Sequence, residues 1–452
     1  MVLIGLIDGM TLPLQSISLC FRGSEVSTLE ILTTVLRTDQ RDLGKMLEIP
    51  FFVTETLDSI SVRVGVRHAK SVTLDLGLKD PTRIRGWSGS ARQEIFISAH
   101  TSTPGYLAGD LQVGEWAVLL SPYQIEEEVE VEIAIEGVVF SPKWLKADLH
   151  THSTHSDGAW QVQELLSRAI AIGLDVVALS DHNTVTQNFE AQCTSQDDPN
   201  VLLIPAMEWT TRMGHANVFG LCDPLLDWRV EEEDEFLEKV ATLKSKGALV
   251  SANHPCDDFA MGIKWQWPLQ ELDFLEIWNG PWRDSCSKSR ELWIDQLKSG
   301  RRVVALGGSD VHGPSPWVEL GSPTTHIYVT KPGLTGVLEG LSKGSVYITS
   351  SPSGPHLAPE STVPGESVDS EVHVVIEGLQ VGNRVNITTQ RGLLISETID
   401  TTVFKRSFQT DDDCSYVRIE AYRHDDVFDV WLPLLITNPI WNEGETQGIA
   451  YE

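Results

Sequence analysis

The chain has 452 residues, with 34 Lys and Arg against 64 Asp and Glu, giving a formal net charge of −30 at pH 7. That length supports roughly two to four domains, and the negative charge repels polyanions, which argues against binding duplex nucleic acid through a basic patch. Six cysteines (Cys20, Cys193, Cys222, Cys256, Cys286 and Cys414) form no C-x-x-C pair, so neither a zinc ribbon nor a disulfide framework is indicated, and reduced thiols in a cytoplasmic protein are expected.

The start, residues 1–14, is apolar but carries Asp8 and no basic residue, and no run of about 18 apolar residues occurs in the chain. Neither a membrane span nor export is expected. Leu29-Glu30-Ile31-Leu32 reads as a short helix. From residue 51 to 139 the texture is β-branched segments separated by turns, including strict alternation over residues 129–135, which predicts an all-β domain with one wet face. Acidic runs such as Glu126-Glu127-Glu128 read as solvated edges.

At Lys146 the pattern becomes strand then helix. Apolar segments at 176–179, 248–250, 274–277 and 303–306 alternate with amphipathic stretches such as 162–172 and 236–246. This predicts parallel strands covered by helices, either a TIM-like barrel or a doubly wound open sheet. After the turn-rich Ser350-Ser351-Pro352-Ser353-Gly354-Pro355, alternating segments at 372–376 and 417–421 predict a C-terminal β module. The expected domains are residues 1–143, 144–351 and 352–452.

Ionisable residues cluster at the ends of the apolar strands, where parallel β/α folds place their active sites. The first group is Asp148-Leu149-His150-Thr151-His152, followed by His155, Ser156, Asp157 and Gly158. On an extended strand His150 and His152 share a face and can grip one ion, although a lone His-x-His is as often a packed pair. Residues 176–179 end in Ser180-Asp181-His182-Asn183, which could equally be a helix cap. Residues 201–204 lead to Glu208, an acid among apolar neighbours whose burial without a partner would be costly, and His215 follows. Asn253-His254-Pro255 and Ser309-Asp310-Val311-His312 complete the set. Five successive strand ends bearing His, Asp or Glu point to a metal site rather than core packing, and a donor set of imidazole and carboxylate suits zinc, manganese or iron.

These motifs, in this order over about 200 residues, resemble those of the PHP (polymerase and histidinol phosphatase) superfamily, and more narrowly its carbaryl-hydrolase-like CehA/McbA branch. Gly86-Trp87-Ser88-Gly89 and Thr437-Asn438-Pro439-Ile440 resemble the β domains accompanying that branch. The resemblance implies a distorted (β/α)7 TIM-like barrel flanked by N-terminal and C-terminal β-sandwich-like domains. It further implies three divalent transition metals. His150, His152, Glu208 and Asp310 would hold the first; Glu208, His215 and His254 the second; Asp157, His182 and His312 the third, with Asp157 where some members have His. A metal-bridging hydroxide would act as nucleophile.

Other residues carry less weight. His155 reads as solvent-exposed or supporting, and Asp148 and Asp181 as carboxylates that orient ligands. Arg212, Asn279 and Arg283 are candidate substrate contacts, although surface salt bridges are the commoner fate of Arg. Trp209, Trp278 and Trp282 read equally as pocket wall or rim packing, and Cys256 lacks a clear base. The expected function is hydrolysis of a small anionic phosphomonoester or phosphodiester. The alternatives are a carbamate, ester or amide hydrolase, and a non-catalytic metal-binding scaffold. Exposed β edges leave room for a homo-oligomer.

Overall fold

The structure is a computed structural model that describes residues 16–21, 24–67, 72–194, 201–257, 265–368, 371–411 and 413–442. The apolar start at 1–14 and the side chains of Cys20 and Cys193 lie outside the described residues. The other four cysteines are free thiols. Among the described residues no helix is long and apolar enough to cross a membrane. The chain divides into two compact units, Met1–Ser141 with Thr330–Thr335, and Pro142–Val329 with Gly336–Glu452.

The first unit is built from two antiparallel sheets. One orders its strands Ser16–Phe21, Ser24–Thr38, Val129–Val139, Leu57–Arg67 and Glu94–Ser98; the other Leu47–Val53, Gly114–Ile125, Val72–Lys79 and Ile84–Gly89. Alternation sets the faces: Val129, Val131, Ile133 and Ile135 are buried, in one core with Leu76, Leu78, Val118 and Leu120 of the second sheet. The wet face carries cross-strand ion pairs, Arg37 with Glu130 at 3.0 Å and Arg63 with Glu136 at 2.6 Å. The helix expected at Leu29-Glu30-Ile31-Leu32 is instead part of strand Ser24–Thr38, whose ladder against Val129–Val139 runs from Thr28 to Thr38. Pairing with a distant strand overrides the local preference there.

The second unit begins with β1 (Lys143–Thr151), α1 (Val162–Ala171), β2 (Val176–Leu179), α2 (Thr186–Thr194), β3 (Leu202–Thr211) and β4 (Gly214–Phe219). It continues with α3 (Glu233–Ser245), β5 (Leu249–Ala252), β6 (Phe274–Asn279), α4 (Asp284–Lys298), β7 (Val304–Gly308), β8 (Thr324–Val329), α5 (Gly333–Lys343) and β9 (Val346–Thr349). Helix α1 buries Val162, Leu165, Leu166 and Ala169, the i, i+3, i+4, i+7 face that its sequence predicts. The hydrogen-bonded strand order is β7-β6-β5-β4-β3-β2-β1-β8-β9.

This sheet is mixed, not all parallel. Strands β1 to β3 are mutually parallel, and so are β5 to β7, but β4 runs antiparallel to both neighbours. The reason is local: β3 and β4 form a hairpin that turns at Arg212 and Met213 before Gly214. The sheet curves back on itself beyond β7, where the Asp310 backbone N–H donates to the His150 carbonyl at 2.8 Å and the His152 backbone N–H to the Val311 carbonyl at 3.0 Å. The ends of β1, β2, β3, β5 and β7 thereby meet in one place.

The C-terminal strands continue this sheet: β9 pairs with Val430–Thr437, which pairs with Tyr416–Asp425, then Arg384–Thr389 and Gly392–Thr398. A separate antiparallel sheet of His356–Leu357, Glu371–Glu377 and Val403–Gln409 shares a buried core with them. By contacts, residues 352–442 belong with the unit that holds β1 to β9.

Candidate metal centre

Each strand delivers its polar residue where the apolar run ends. His150 lies in β1 and His152 just after it, Asp157 in the following loop, His182 beyond β2, and Glu208 in β3. His215 opens β4, His254 follows β5, and Asp310 and His312 follow β7. These nine residues fall into four overlapping groups whose donor atoms lie within 4.8 Å of one another. The groups are His150, His152 and Asp310; His150, Glu208 and His254; His182, Glu208 and His215; and His152, Asp157, His182 and His312.

Glu208, buried, is the hub. Its Oε1 lies 3.3 Å from His150 Nε2, 3.3 Å from His215 Nδ1 and 3.4 Å from His254 Nε2, and its Oε2 lies 3.6 Å from His152 Nε2. Asp310 Oδ1 lies 3.1 Å from His152 Nε2 and 3.3 Å from His150 Nε2. Asp157 Oδ1 lies 3.3 Å from His312 Nε2 and 3.6 Å from His182 Nε2. Burial falls off across the cluster. His150, His152 and Glu208 are buried, His182, His215, His254, Asp310 and His312 half-buried, and Asp157 exposed, so the open side is at Asp157.

Hydrogen bonds fix which ring nitrogen of two histidines, His150 and His312, faces inward. His150 Nδ1 is 2.9 Å from Glu276 Oε1, and His312 Nδ1 is 2.9 Å from the Asp310 carbonyl; both partners accept, so the Nδ1 atoms carry the protons. Thr210 spends its hydroxyl hydrogen on the Glu208 carbonyl at 3.2 Å, so its oxygen accepts from His182 Nδ1 at 2.6 Å. In His150 and His312 the Nε2 lone pair points into the cluster, whereas His182 faces it with both nitrogens, Nδ1 lying 2.8 Å from Glu208 Oε2 and Nε2 3.6 Å from Asp157 Oδ1.

The donor set fits cations. His150 Nε2, both ring nitrogens of His152 and His215 Nε2 are buried without a hydrogen-bond partner among the described residues, a concentration of orphaned atoms that protein contacts alone would leave costly. The electrostatics agree. Burial alone would raise the Glu208 and Asp310 carboxyls, but the neighbouring histidines, His150 foremost, hold both well below the usual range. Burial would lower His150, yet Asp310, Glu276 and Glu208 outweigh it and push it up. The cluster demands positive charge, which protons or bound metals can supply.

Backbone strain is concentrated here. Among the described residues five non-glycine residues have positive φ, and three of them, Asn183 (51°), His254 (29°) and Asp310 (55°), sit on the loops that carry ligands. Gly308 shows why β7 ends in glycine: a Cβ there would lie 2.4 Å from His150 Cβ and 2.9 Å from Glu276 Oε1.

The other candidates separate. Asp181 accepts from Ser153 N–H and hydroxyl, each at 2.9 Å, and from the Ser156 hydroxyl at 2.7 Å, tying the His152–Asp157 loop together. Asp148 accepts from Ser309 N–H at 3.0 Å, Gly321 N–H at 2.7 Å and His150 N–H at 3.3 Å. His155 is taken by Thr186 and Glu190, at 2.7 and 2.8 Å. Asn279 reaches no open surface; it donates to Glu276 at 3.1 Å and Asp310 at 3.3 Å and accepts from Arg283 at 2.9 Å. Arg283 is further held by Asp257. Arg212 is exposed at the β3–β4 hairpin tip. Trp209 is buried, stacked on Phe236, and Trp278 is buried edge-on to the half-buried Trp282, so Trp209 and Trp278 are core.

Residues 148–243 match a family model. The matching model is that of the PHP domain. The PHP domain match contains His150, His152, Asp157, His182, Glu208 and His215, while His254, Asp310 and His312 lie beyond it and join the cluster through the fold. Over 66 residues the chain is 42% identical to a 5'-3' exoribonuclease of Haemophilus influenzae, covering 15% of this chain and 24% of the relative, so it spans about a quarter of that protein's length. It is 25% identical over 151 residues to an uncharacterized protein of Methanocaldococcus jannaschii, covering 31% of this chain and 85% of the relative. Among solved structures, it is similar to a two-domain Bacteroides vulgatus protein containing a predicted PHP-like metal-dependent phosphoesterase. That likeness has a TM-score of 0.41 and 16% identity, covering 66% of this chain and 96% of that one.

Sequence reasoning missed Glu276 and the supporting role of Thr210. The signal for Glu276 was present, as the only charged residue in a six-residue strand that is buried throughout.

Proposed function

We propose that the chain is a PHP-type metal-dependent hydrolase of small phosphoesters, with His150, His152, Asp157, His182, Glu208, His215, His254, Asp310 and His312 as its metal ligands. The observation that carries this reading is the convergence of nine donor residues, Glu208 among them, several buried with no other partner. The parallel runs β1–β3 and β5–β7, with their carboxyl ends at the cluster, support reading the sheet as a distorted (β/α)7 barrel.

His150, His152, Glu208 and Asp310 suit a first metal, Glu208, His215 and His254 a second, and Asp157, His182 and His312 a third; zinc, manganese and iron all suit these donors. Bound there, divalent cations neutralise the non-bridging oxygens of a phosphoester and lower the pKa of a water from about 15.7 toward about 7. The protein side chains do the rest. Glu208 and Asp310 keep the donors converged, the pinned Nδ1 protons of His150 and His312 keep their Nε2 atoms facing inward, and the open edge at Asp157 and His312 admits substrate. Arg212, exposed on the hairpin that carries Glu208 and His215, supplies a cation for the substrate's anionic group.

The test is metal content by plasma mass spectrometry on the wild type and on Glu208→Ala, with nitrophenyl phosphate, bis(nitrophenyl) phosphate, nitrophenyl acetate and naphthyl carbamate turnover on the same samples. Two to three metals per chain with phosphoester turnover, both lost in the variant, is the expected result. Turnover of the acyl substrates alone would replace this reading with the carbamate and ester hydrolase one.

A further inference from the structure

Strand β6 stands apart from its neighbours. Of the strands that run into the cluster it supplies no member of the four donor groups, yet all six of its residues are buried and two are polar side chains turned toward the ligands. Glu276 Oε1 meets His150 Nδ1 at 2.9 Å, while its Oε2 accepts the His254 N–H at 2.9 Å and the Asn279 side-chain amide at 3.1 Å. That amide also donates to Asp310 Oδ2 at 3.3 Å, and Arg283 clamps the Asn279 side-chain oxygen at 2.9 Å and its carbonyl at 2.6 Å. One carboxylate and one amide thus touch three ligands from three other strands.

The reach of this pair is uneven. His150, His254 and Asp310 fall within just two of the four donor groups, His150 in both and the other two in one each. The remaining two groups, His182, Glu208 and His215, and His152, Asp157, His182 and His312, contain none of the three. Those two groups have a different support, the Thr210 hydroxyl on His182 Nδ1 at 2.6 Å. A carboxylate behind a ligating imidazole fixes its tautomer and raises its basicity, and removing such a partner typically costs about 10- to 100-fold in metal affinity.

We propose that Glu276 and Asn279 are positioning residues for one half of the centre, the half built on His150, His254 and Asp310, and that Thr210 supports the other half. This rests on the metal-binding reading above. Glu276 holds His150 with Nε2 inward and pins the strained His254 backbone, and Asn279 aims Asp310. Neither touches the donor cluster's interior, so neither is a ligand.

The test uses zinc bound per chain, measured at graded free zinc set by a chelator buffer, on the wild type, Glu276→Gln, Asn279→Ala and Thr210→Val. Gln keeps the shape of Glu276 but cannot accept both the His150 ring proton and the His254 N–H. The expected result is a split curve for Glu276→Gln. Part of the bound zinc shifts to about 10- to 100-fold higher free zinc and the rest stays at the wild-type position. Asn279→Ala, which leaves the Glu276–His150 contact in place, gives the same split with a smaller shift. Thr210→Val shifts the complementary part. A wild type that binds no zinc would sink the metal reading itself. A wild type that binds zinc, with a Glu276→Gln curve that is unchanged or shifts uniformly, would overturn the positioning proposal alone. Thermal unfolding of the zinc-free samples separates a local effect from misfolding. If Glu276→Gln does not fold, Asn279→Ala decides, an unsplit curve counting against the proposal.

Discussion

Glu208 Oε1 and His215 Nδ1 lie 3.3 Å apart although they sit on opposite strands of one hairpin, with Thr210 rather than Glu208 directly across from His215. The turn therefore sets the approach of a ligand pair. Gly214 makes it possible: its φ is +140°, and a Cβ there would lie 2.6 Å from the Trp265 ring. Gly214→Ala is expected to cost about 1–3 kcal/mol through backbone strain, and to weaken metal retention at the group containing His215. Thermal unfolding with and without zinc checks both parts. A variant as stable and as metal-loaded as the wild type would show that the turn is not what holds this pair.

Arg212 occupies the tip of the same hairpin and makes no ion pair or hydrogen bond with any described residue. On the proposed reading, a long exposed cation on the hairpin that carries Glu208 and His215 serves binding more than stability. Arg212→Ala is expected to raise KM for nitrophenyl phosphate about three- to tenfold, the worth of one exposed charge-assisted hydrogen bond, with kcat nearly unchanged and the unfolding midpoint unmoved. Steady-state kinetics decide it. A fall in kcat at constant KM would place Arg212 in the chemical step instead.

The site was more legible in the sequence than the sheet around it, for a physical reason. Metal donors at the ends of parallel strands announce themselves one strand at a time, because each sits next to its own apolar run. Glu276 announced itself only as a lone charge in an apolar strand, and nothing local marks its contact with His150, 126 residues away. The β3–β4 hairpin was hidden for a similar reason. No strand is legible in the sequence around His215, and only the ladders with β3 and β5 show an antiparallel strand there. At Leu29-Glu30-Ile31-Leu32 helix preference lost to a ladder with residues about 105 positions on, again a contact with no local trace. Asn279 shows the opposite error. Its place at a strand end suggested substrate contact, and its amide is instead divided between Glu276 and Asp310.

Glu420 is the point where helix α4 is tied to the C-terminal strands. It is buried and receives Arg290 through Nε at 2.9 Å and Nη2 at 2.5 Å, Arg418 at 2.8 Å and the Tyr422 hydroxyl at 2.5 Å. Burial would raise its carboxyl, but Arg418 and Arg290 outweigh that and hold it down. Glu420→Ala would leave the buried Arg418 without its carboxylate, at a cost of about 3–5 kcal/mol. Urea unfolding followed by tryptophan fluorescence measures it, since Arg418 also lies over the Trp293 ring at 5.0 Å. A loss below 1 kcal/mol would mean that water replaces the lost partner.

His326 makes stability depend on pH in a way that needs no metal. It is buried in β8, stacked on Tyr347 with 4.3 Å between ring centroids, and its Nε2 lies 2.9 Å from the Thr349 hydroxyl oxygen. That hydroxyl gives its own hydrogen to the Ser351 carbonyl at 2.9 Å, so the imidazole must donate. Burial, with Lys146 and His356 nearby, pulls its pKa down to about 3. In the unfolded chain the same group takes up a proton near its ordinary value of about 6.5. The native state therefore keeps its full stability above that pH and loses it as pH falls from about 6.5 toward 3, because only the unfolded chain binds the proton in that window. Between pH 7 and pH 5 this one residue removes about 2 kcal/mol. His326→Gln keeps a donor for Thr349 and cannot titrate, so its unfolding free energy should fall by about 2 kcal/mol less than that of the wild type over the same interval. Denaturant unfolding of both proteins at pH 7, 6 and 5 provides the comparison, and the acid sensitivity shared through the histidine and carboxylate cluster cancels in the difference. Parallel pH curves for the two proteins would show that His326 is charged in the fold after all, or that its burial is relieved by water.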